Sequence, residues 1–466
     1  MALLNPSYLS QQPDVPAEQL HPLHPDVMSR QATINIGTIG HVAHGKTTLV
    51  KAITSTSTNK FHNEIERNIT IKLGYANAKI FQCPKCPPPT NYFQAPSNSS
   101  DTTKCRTCNT PGKLARHISF IDCPGHDFYM ATMLTGACVM DSAFLLIAAD
   151  QPCPQSQTVE HLTAIEIAGV SQTGGVIVVQ NKIDLITQPE AVNHCEQITN
   201  YLATTSIADV PIIPISAVQG YNIDYVLHYI VERIPVPKRD LMRPPRFTVI
   251  RSFDVNRSGC SVDDLKGGIA GGTLLQGILK LGDIIEIRPG IINVDEKGSF
   301  SCYPLVTRIV SICAEENDLR YVIPGGLVAI GTHIDPSLTR QDSLVGSVIG
   351  RPENMPPIHV NISVRYEILQ TLICQTTNGQ GSTITELDLK EVLLLTIGSN
   401  SVNGQLKEIN VTPDGRIARI AMQKPICADY GEKIAISRRI SMGAIRSWRL
   451  IGWGEIMKDE EWEMSM

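Results

Sequence analysis

Gly40-His41-Val42-Ala43-His44-Gly45-Lys46-Thr47 is the stretch that decides the fold. Two glycines bracket a short loop, and such a loop turns its backbone amides inward onto an anion. The apolar run Thr33-Ile34-Asn35-Ile36-Gly37 precedes it and a helical pattern over Lys46–Ser55 follows. That order of strand, loop and helix aims the positive end of the helix dipole at the same anion. The expected cradle is His41, Val42, Ala43, His44, Gly45, Lys46, Thr47 and Thr48. In it Lys46 reaches the β- and γ-phosphates of a nucleotide, and the Thr47 hydroxyl ligates Mg²⁺.

Two motifs further along refine this. Asp122-Cys123-Pro124-Gly125 closes an apolar segment. Asp122 there can hold a Mg²⁺-bound water, and the Gly125 amide can bond the γ-phosphate. Asn181-Lys182-Ile183-Asp184 follows Val176-Ile177-Val178-Val179-Gln180. The Asp184 carboxylate can accept from guanine N1–H and the exocyclic amine together, whereas adenine would leave it unpaired. Ser216, Ala217 and Val218 end the next strand candidate and offer a backbone amide to guanine O6. The spacing therefore predicts GTP, not ATP.

Around these motifs, strand candidates (Thr33–Thr38, His117–Asp122, Ala143–Ala149, Val176–Gln180, Ile212–Ser216) alternate with helical patterns (Lys46–Ser55, Thr158–Gly169, Ala191–Tyr201, Ile223–Ile234). The alternation predicts an α/β P-loop domain with a mostly parallel, doubly wound sheet. It stops at Pro235-Val236-Pro237 and Pro244-Pro245. Beyond that linker the chain is rich in β-branched residues and paired glycines, the composition of small β-barrels, with a second break at 351–357. The expected division is a poorly ordered leader at 1–30, a G domain at 31–237 with an insertion at 80–116, and β-barrels at 246–351 and 357–466. A length of 466 residues suits such a multidomain chain. A net charge of −5 gives no global attraction to nucleic acid or membrane, so any RNA contact must be local. The lack of a basic, apolar N-terminal signal and of a spanning apolar run predicts a cytoplasmic protein with reduced cysteines.

Within the insertion, Cys83-Pro84-Lys85-Cys86 and Cys105-Arg106-Thr107-Cys108 stand 18 residues apart. That spacing lets two pairs of thiolates close on one tetrahedral zinc. The insertion has five basic side chains (Lys85, Lys104, Arg106, Lys113, Arg116) and one acid, Asp101. It is thus mildly positive even around a zinc tetrathiolate, and more in keeping with a solvated face than with an RNA grip.

Taken together, these motifs resemble the translational GTPases, the family of elongation factor Tu. The longer runs Arg30–His44, Glu66–Lys79, Val249–Asn256 and Trp448–Trp453 are similar, more narrowly, to the γ-subunit family of eukaryotic translation initiation factor two. The resemblance spans residues 30 to 454. It implies a G domain followed by two barrels, and GTP hydrolysis to GDP and phosphate stimulated by an activating protein. It also implies delivery of initiator methionyl-tRNA to the small ribosomal subunit, in company with α and β subunits and a nucleotide-exchange factor. By position, Thr70 corresponds to the switch I threonine that joins the Mg²⁺ shell, and His126 to the histidine that orients the attacking water. Val42 and Ile69 correspond to the apolar gate before that histidine, and Arg67–Tyr75 to the cargo-sensing switch, with Tyr75 a candidate surface for stacking RNA. Ala43 departs from the aspartate of the wider family but agrees with the narrower one. The segment 440–447 is longer than usual, and the acidic end from Lys458 matches neither. Two other readings stand beside this: a metabolic GTPase of the kind that drives sulfate activation, which would lack the Arg67–Tyr75 run, and a zinc adaptor that binds GTP without hydrolysing it.

Overall fold

A computed structural model describes residues 15–58, 64, 70–173, 175–257, 259–261, 264–369, 384–413, 415–442 and 445–459. The first unit is a seven-stranded sheet: β1 (Ile34–Gly40), β2 (Gly74–Gln82), β3 (Tyr92–Pro96), β4 (Lys113–Asp122), β5 (Ser142–Ala148), β6 (Val176–Asn181) and β7 (Ile212–Pro214). Its spatial order is β3-β2-β4-β1-β5-β6-β7. The five strands from β4 to β7 run parallel, and β2 and β3 form an antiparallel edge. All seven residues of β5 are buried, as expected for an apolar strand covered on both faces.

The covering helices are α1 (Lys46–Thr54), α2 (Met130–Ala137), α3 (Ser156–Ile167), α4 (Gln188–Leu202) and α5 (Ile223–Glu232). Leu49, Val50 and Ile53 of α1 and Val226, Leu227 and Ile230 of α5 pack with Ile34, Ile36, Phe120 and Phe144 on one face. Met133 of α2, Leu162 and Ile165 of α3, and Ile198 and Leu202 of α4 meet Ile39, Leu145 and Val178 on the other. The phosphate loop, Asp122 and Asn181 all lie at the carboxyl ends of parallel strands, where such sheets bind ligands.

Two closed barrels follow. In the first, Ile284–Val294 pairs antiparallel with both Phe300–Ala314 and Val348–Gly350, which closes a six-stranded ring through Arg246–Phe253, Ile269–Gln276 and Val328–Thr332. The second runs Ile358–Ile368, Gly415–Cys427, Asn400–Thr412, Val392–Ile397, Lys433–Met442 and Ile445–Met457. Its interior holds Ile362, Val364, Leu393, Leu395, Ile420 and Ile436, the inward residues of alternating strands. Arg246 of the first barrel is ion-paired with Asp429 and Glu432 of the second.

Three expectations change. Residues 15–30, placed in a poorly ordered leader, are packed: Leu20 and Val27 are buried against Ile278, Tyr321 and Ile323 of the first barrel. The Gln31 carboxamide also mimics a strand there, donating to the Ile323 carbonyl at 3.0 Å and accepting from its amide at 3.2 Å. The β2–β3 edge and α2 were not foreseen, and β4 begins at Lys113 inside the expected insertion. Residues 1–14, Arg67, Asn68, Ile69 and the end from Glu460 lie outside the described residues. Among the described residues no helix is long and apolar enough to cross a membrane.

Candidate functional site

The loop between β1 and α1 turns through two residues of positive φ, Gly45 at 90°, which glycine adopts freely, and Ala43 at 60°, which is strained for an L side chain. A Cβ on Gly45 would meet Asn181 Nδ2 at 2.1 Å, so the close approach of the two motifs requires glycine there. Gly125 is less constrained: a Cβ would meet the movable Lys46 Nζ at 2.3 Å and the His41 carbonyl at 3.1 Å. The Lys46 ammonium donates to the carbonyls of Gly40 at 2.8 Å and His41 at 2.7 Å. Burial pulls its pKa down to about 8, opposed by nearby Asp122. A buried cation held by neutral carbonyls is poorly compensated, and a phosphate oxygen would compensate it better.

Asp122, at the end of β4, is fully buried. Its Oδ1 accepts from the Thr38 hydroxyl at 3.0 Å; its Oδ2 accepts from Thr47 at 2.7 Å and Thr58 at 2.6 Å. The Thr70 hydroxyl lies 3.1 Å from that of Thr47. Burial raises the Asp122 pKa, and the hydroxyl donors and Lys46 resist the rise only in part. One buried carboxylate ringed by hydroxyl oxygens is a hard-oxygen donor set, which fits Mg²⁺. Thr47, Thr70 and Asp122 are thus brought together. Thr38 and Thr58 were missed. The parallel register of Thr38 opposite Asp122 was a usable signal for the first; Thr58 had none.

At the other end of the loop, Asn181 acts as a strut. Its Nδ2 donates to the His44 carbonyl at 2.9 Å, and its Oδ1 accepts from the Ala217 amide at 3.1 Å. Lys182 adopts φ 65° and its ammonium lies 3.2 Å from Asp150. Asp184 and Ser216 line a cleft of about 690 Å³ with Gln219, Tyr221 and Asn222, and Val218 is strongly exposed. His44 is buried between the Leu146 carbonyl at 2.9 Å and the Gln151 carboxamide at 3.2 Å. Desolvation drives its pKa to about 4, so it is a neutral strut. His161 of α3, also missed, is buried and accepts the Gly40 amide at 3.0 Å through Nδ1.

His126 stands apart on the turn after β4. Its side chain is 50% exposed, and its Nδ1 lies 2.8 Å from Asp127 and 3.2 Å from the Phe128 amide. It faces solvent, where a water can be met.

The four cysteines of the insertion converge, with all sulfurs within 4.8 Å of one another. Cys83 and Cys108 approach to 3.3 Å, Cys86 and Cys105 to 3.8 Å. Tetrahedral zinc with 2.3 Å bonds sets its sulfurs about 3.8 Å apart, so the group fits that metal. Phe81 and Phe93 pack on Cys83 and Cys105 and brace the knuckle.

Comparison with known proteins places this geometry. Residues 31–236 match the elongation factor Tu GTP-binding domain, and residues 360–456 the C-terminal domain of initiation factor eIF2 gamma. The fold aligns with translation elongation factor SelB of Methanococcus maripaludis in complex with GppNHp, at a TM-score of 0.64 and 19% identity over 92% of this chain and 80% of that one. A bacterial selenocysteine-specific elongation factor aligns at 0.62 and 20% identity, covering 91% of this chain and 58% of the other. The chain is a translational GTPase: it binds GTP with Mg²⁺ and hydrolyses it. Eukaryotic translation initiation factor 2 subunit 3 of Drosophila melanogaster is 52% identical over 444 residues, covering 94% of this chain and 91% of that protein. The subunit gamma of Schizosaccharomyces pombe is 50% identical over 443 residues, covering 94% and 97%. This chain therefore belongs to the γ-subunit family of eukaryotic translation initiation factor 2, and is a GTP-dependent translation initiation factor.

Proposed function

We propose that the chain binds initiator methionyl-tRNA while GTP is bound, delivers it to the small ribosomal subunit, and releases it when GTP is hydrolysed. It would do so as the γ member of a heterotrimer with α and β subunits, aided by activating and exchange factors. The observation behind the coupling is the place of Thr70, 3.1 Å from Thr47 above buried Asp122. Five residues further on, Tyr75 lines a cavity of about 220 Å³ with Arg251, Phe253, Gly271, Gly272, Val328 and Ala329 of the first barrel. One short segment thus joins the metal position to a mostly apolar slot of a size suited to an aminoacyl end.

In this reading Thr47 and Thr70 would hold Mg²⁺, with Asp122 behind them, reaching it through a water. When bound, the ion neutralises charge on the transferring phosphoryl group. Lys46 exchanges its two carbonyl partners for β- and γ-phosphate oxygens, and the amides of His41–Thr48 and Gly125 hold the rest of the anion. Asn181, Lys182, Asp184, Ser216, Ala217 and Val218 read guanine. His126 orients the attacking water. The four thiolates of Cys83, Cys86, Cys105 and Cys108 hold a structural zinc. Ala43, which takes the place of a carboxylate, lowers unassisted turnover; Ala43→Asp with unchanged Mg²⁺ affinity and turnover would remove that point.

Filter binding of charged initiator and elongator tRNA, with GTP and with GDP, tests the reading. The expectation is an initiator preference and a GTP preference of about tenfold or more, the latter lost in Thr70→Ala. Equal retention of both tRNAs, or an undiminished GTP preference in that variant, would overturn it.

A further inference from the structure

We infer that Arg449, on the last strand of the C-terminal barrel, is a positioning residue for His126, acting through Asp127. This rests on the reading of His126 as the group that orients water. Arg449 is buried at the junction with the G domain. Its Nη1 lies 3.2 and 3.0 Å from the two carboxylate oxygens of Glu160 on α3, and its Nη2 2.6 Å from Asp127 Oδ2. The other oxygen of Asp127 is 2.8 Å from His126 Nδ1. One guanidinium therefore grips two carboxylates 33 residues apart in sequence, and one of them touches the histidine.

The chemistry of the chain of contacts is directional. A carboxylate at Nδ1 favours the tautomer with the proton on Nδ1, which leaves the Nε2 lone pair outward. That lone pair is the atom a water proton can approach. The Phe128 amide competes for the same Nδ1 at 3.2 Å, which would require the opposite tautomer. Holding Asp127 in place decides between them, and Arg449 holds it by its second oxygen. Glu160 fixes the guanidinium in turn, and its neighbour His161 supports Gly40 of the phosphate loop. The ionisable groups around His126 are thus Asp127 on its own turn, Arg449 and Glu160 behind it, and His41, whose charge is coupled to it across the loop. Docking of the C-terminal barrel is built into the alignment of the hydrolytic site.

The test uses the full chain with prebound GTP and Mg²⁺, reading single-turnover hydrolysis, GTP affinity and the ¹⁵N spectrum of labelled histidines, with the His126 signal identified by its loss in His126→Gln. Arg449→Gln and Asp127→Asn should each slow hydrolysis by about ten- to a hundredfold. The double variant should be no slower than the singles, and GTP affinity should stay within about twofold. The Nδ1–H signature of His126 should give way to a tautomer mixture in both. Asp127→Asn leaves the Arg449–Glu160 pair in place, so it remains informative if Arg449→Gln does not fold. Hydrolysis at the normal rate in Arg449→Gln, or an unchanged tautomer in Asp127→Asn, overturns the positioning role while a slow His126→Gln still upholds the histidine. A His126→Gln that hydrolyses normally removes the histidine reading itself.

Discussion

Thr58→Val tests the arrangement at the metal position most directly, because it deletes one hydrogen bond and almost no volume. The Thr58 hydroxyl makes the shortest of the three contacts to Asp122, at 2.6 Å, and both residues are buried. A hydrogen bond to a charged acceptor contributes about 1.5–3 kcal/mol, and here no solvent replaces the lost donor. At 2–4 °C per kcal/mol for a unit of this size, unfolding of the nucleotide-free G domain should shift down by about 3–12 °C at neutral pH. Two controls separate this from a packing effect. With Mg²⁺ and GTP the deficit should shrink, since a cation beside the carboxylate offsets the missing donor. The deficit should also shrink on acidification. Burial holds the Asp122 pKa above its ordinary 3.8, so as pH falls through that raised value the carboxyl gains a proton. The Thr58 bond then becomes a neutral one, contributing only about 0.5–1.5 kcal/mol. Differential scanning fluorimetry across pH, with and without nucleotide, reads all three. A deficit that is absent at pH 7.5, or that stays constant with pH and Mg²⁺, would refute the view of Asp122 as an under-compensated buried anion.

The Lys46 pKa, lowered to about 8 by burial, predicts a pH effect on binding. Because the folded value is depressed, the stability associated with it is present above pH 10.5 and lost as pH falls through about 8. GTP binding calls for the charged amine, so above pH 8 it should take up one proton, with affinity falling by up to about tenfold per unit. Calorimetry in buffers of different ionisation enthalpy measures this; proton-free binding at pH 9 would contradict it. For the cysteine cluster, Cys105→Ser or chelation should speed proteolysis within 87–104 while leaving GTP affinity within about twofold, because the knuckle is braced locally and opens as its own unit. Metal analysis of the purified chain should find about one zinc, and an unaltered digestion pattern after chelation would count against that role.

How much of this was legible in the sequence depends on the range of the contacts involved. The phosphate loop, Asn181–Asp184 and the paired cysteines could be read because each imposes its geometry within a few residues: positive φ at Gly45, a strand that ends at Asn181, a fixed reach between thiols. The alternation of strands and helices was readable for β1 and β5, which are buried throughout and mostly apolar. It failed for β2, where Asn77 and Lys79 are buried among alanines, and for α2, which has only eight residues. The leader was misjudged at 15–30 because its prolines suggest disorder, while Leu20 and Val27 find their partners some 250–300 residues away. Thr58, His161 and Arg449 were invisible for the same reason. Nothing local to a threonine or an arginine shows that it will face a carboxylate from another element.

The buried charges around these contacts share a physical logic. Asp122 is buried, raised in pKa and held by neutral hydroxyls; Glu160 is buried and raised to about 7 despite Arg449; Lys46 is buried and lowered. Each is a charge that the fold compensates only in part, so a ligand that completes the compensation binds the more strongly for it. A population shift from 1:99 to 99:1 needs about 5.5 kcal/mol of differential binding, within reach of one divalent cation and one phosphate acting on such groups together. A better-compensated site would be more stable and would respond less. If the proposed switch draws on the incomplete pairing around Asp122 and Lys46, then Thr70→Lys, which supplies a fixed cation, should raise the melting temperature of the nucleotide-free chain and abolish the difference in tRNA retention between GTP and GDP, read by scanning fluorimetry and filter binding; an unchanged melting temperature would refute the link.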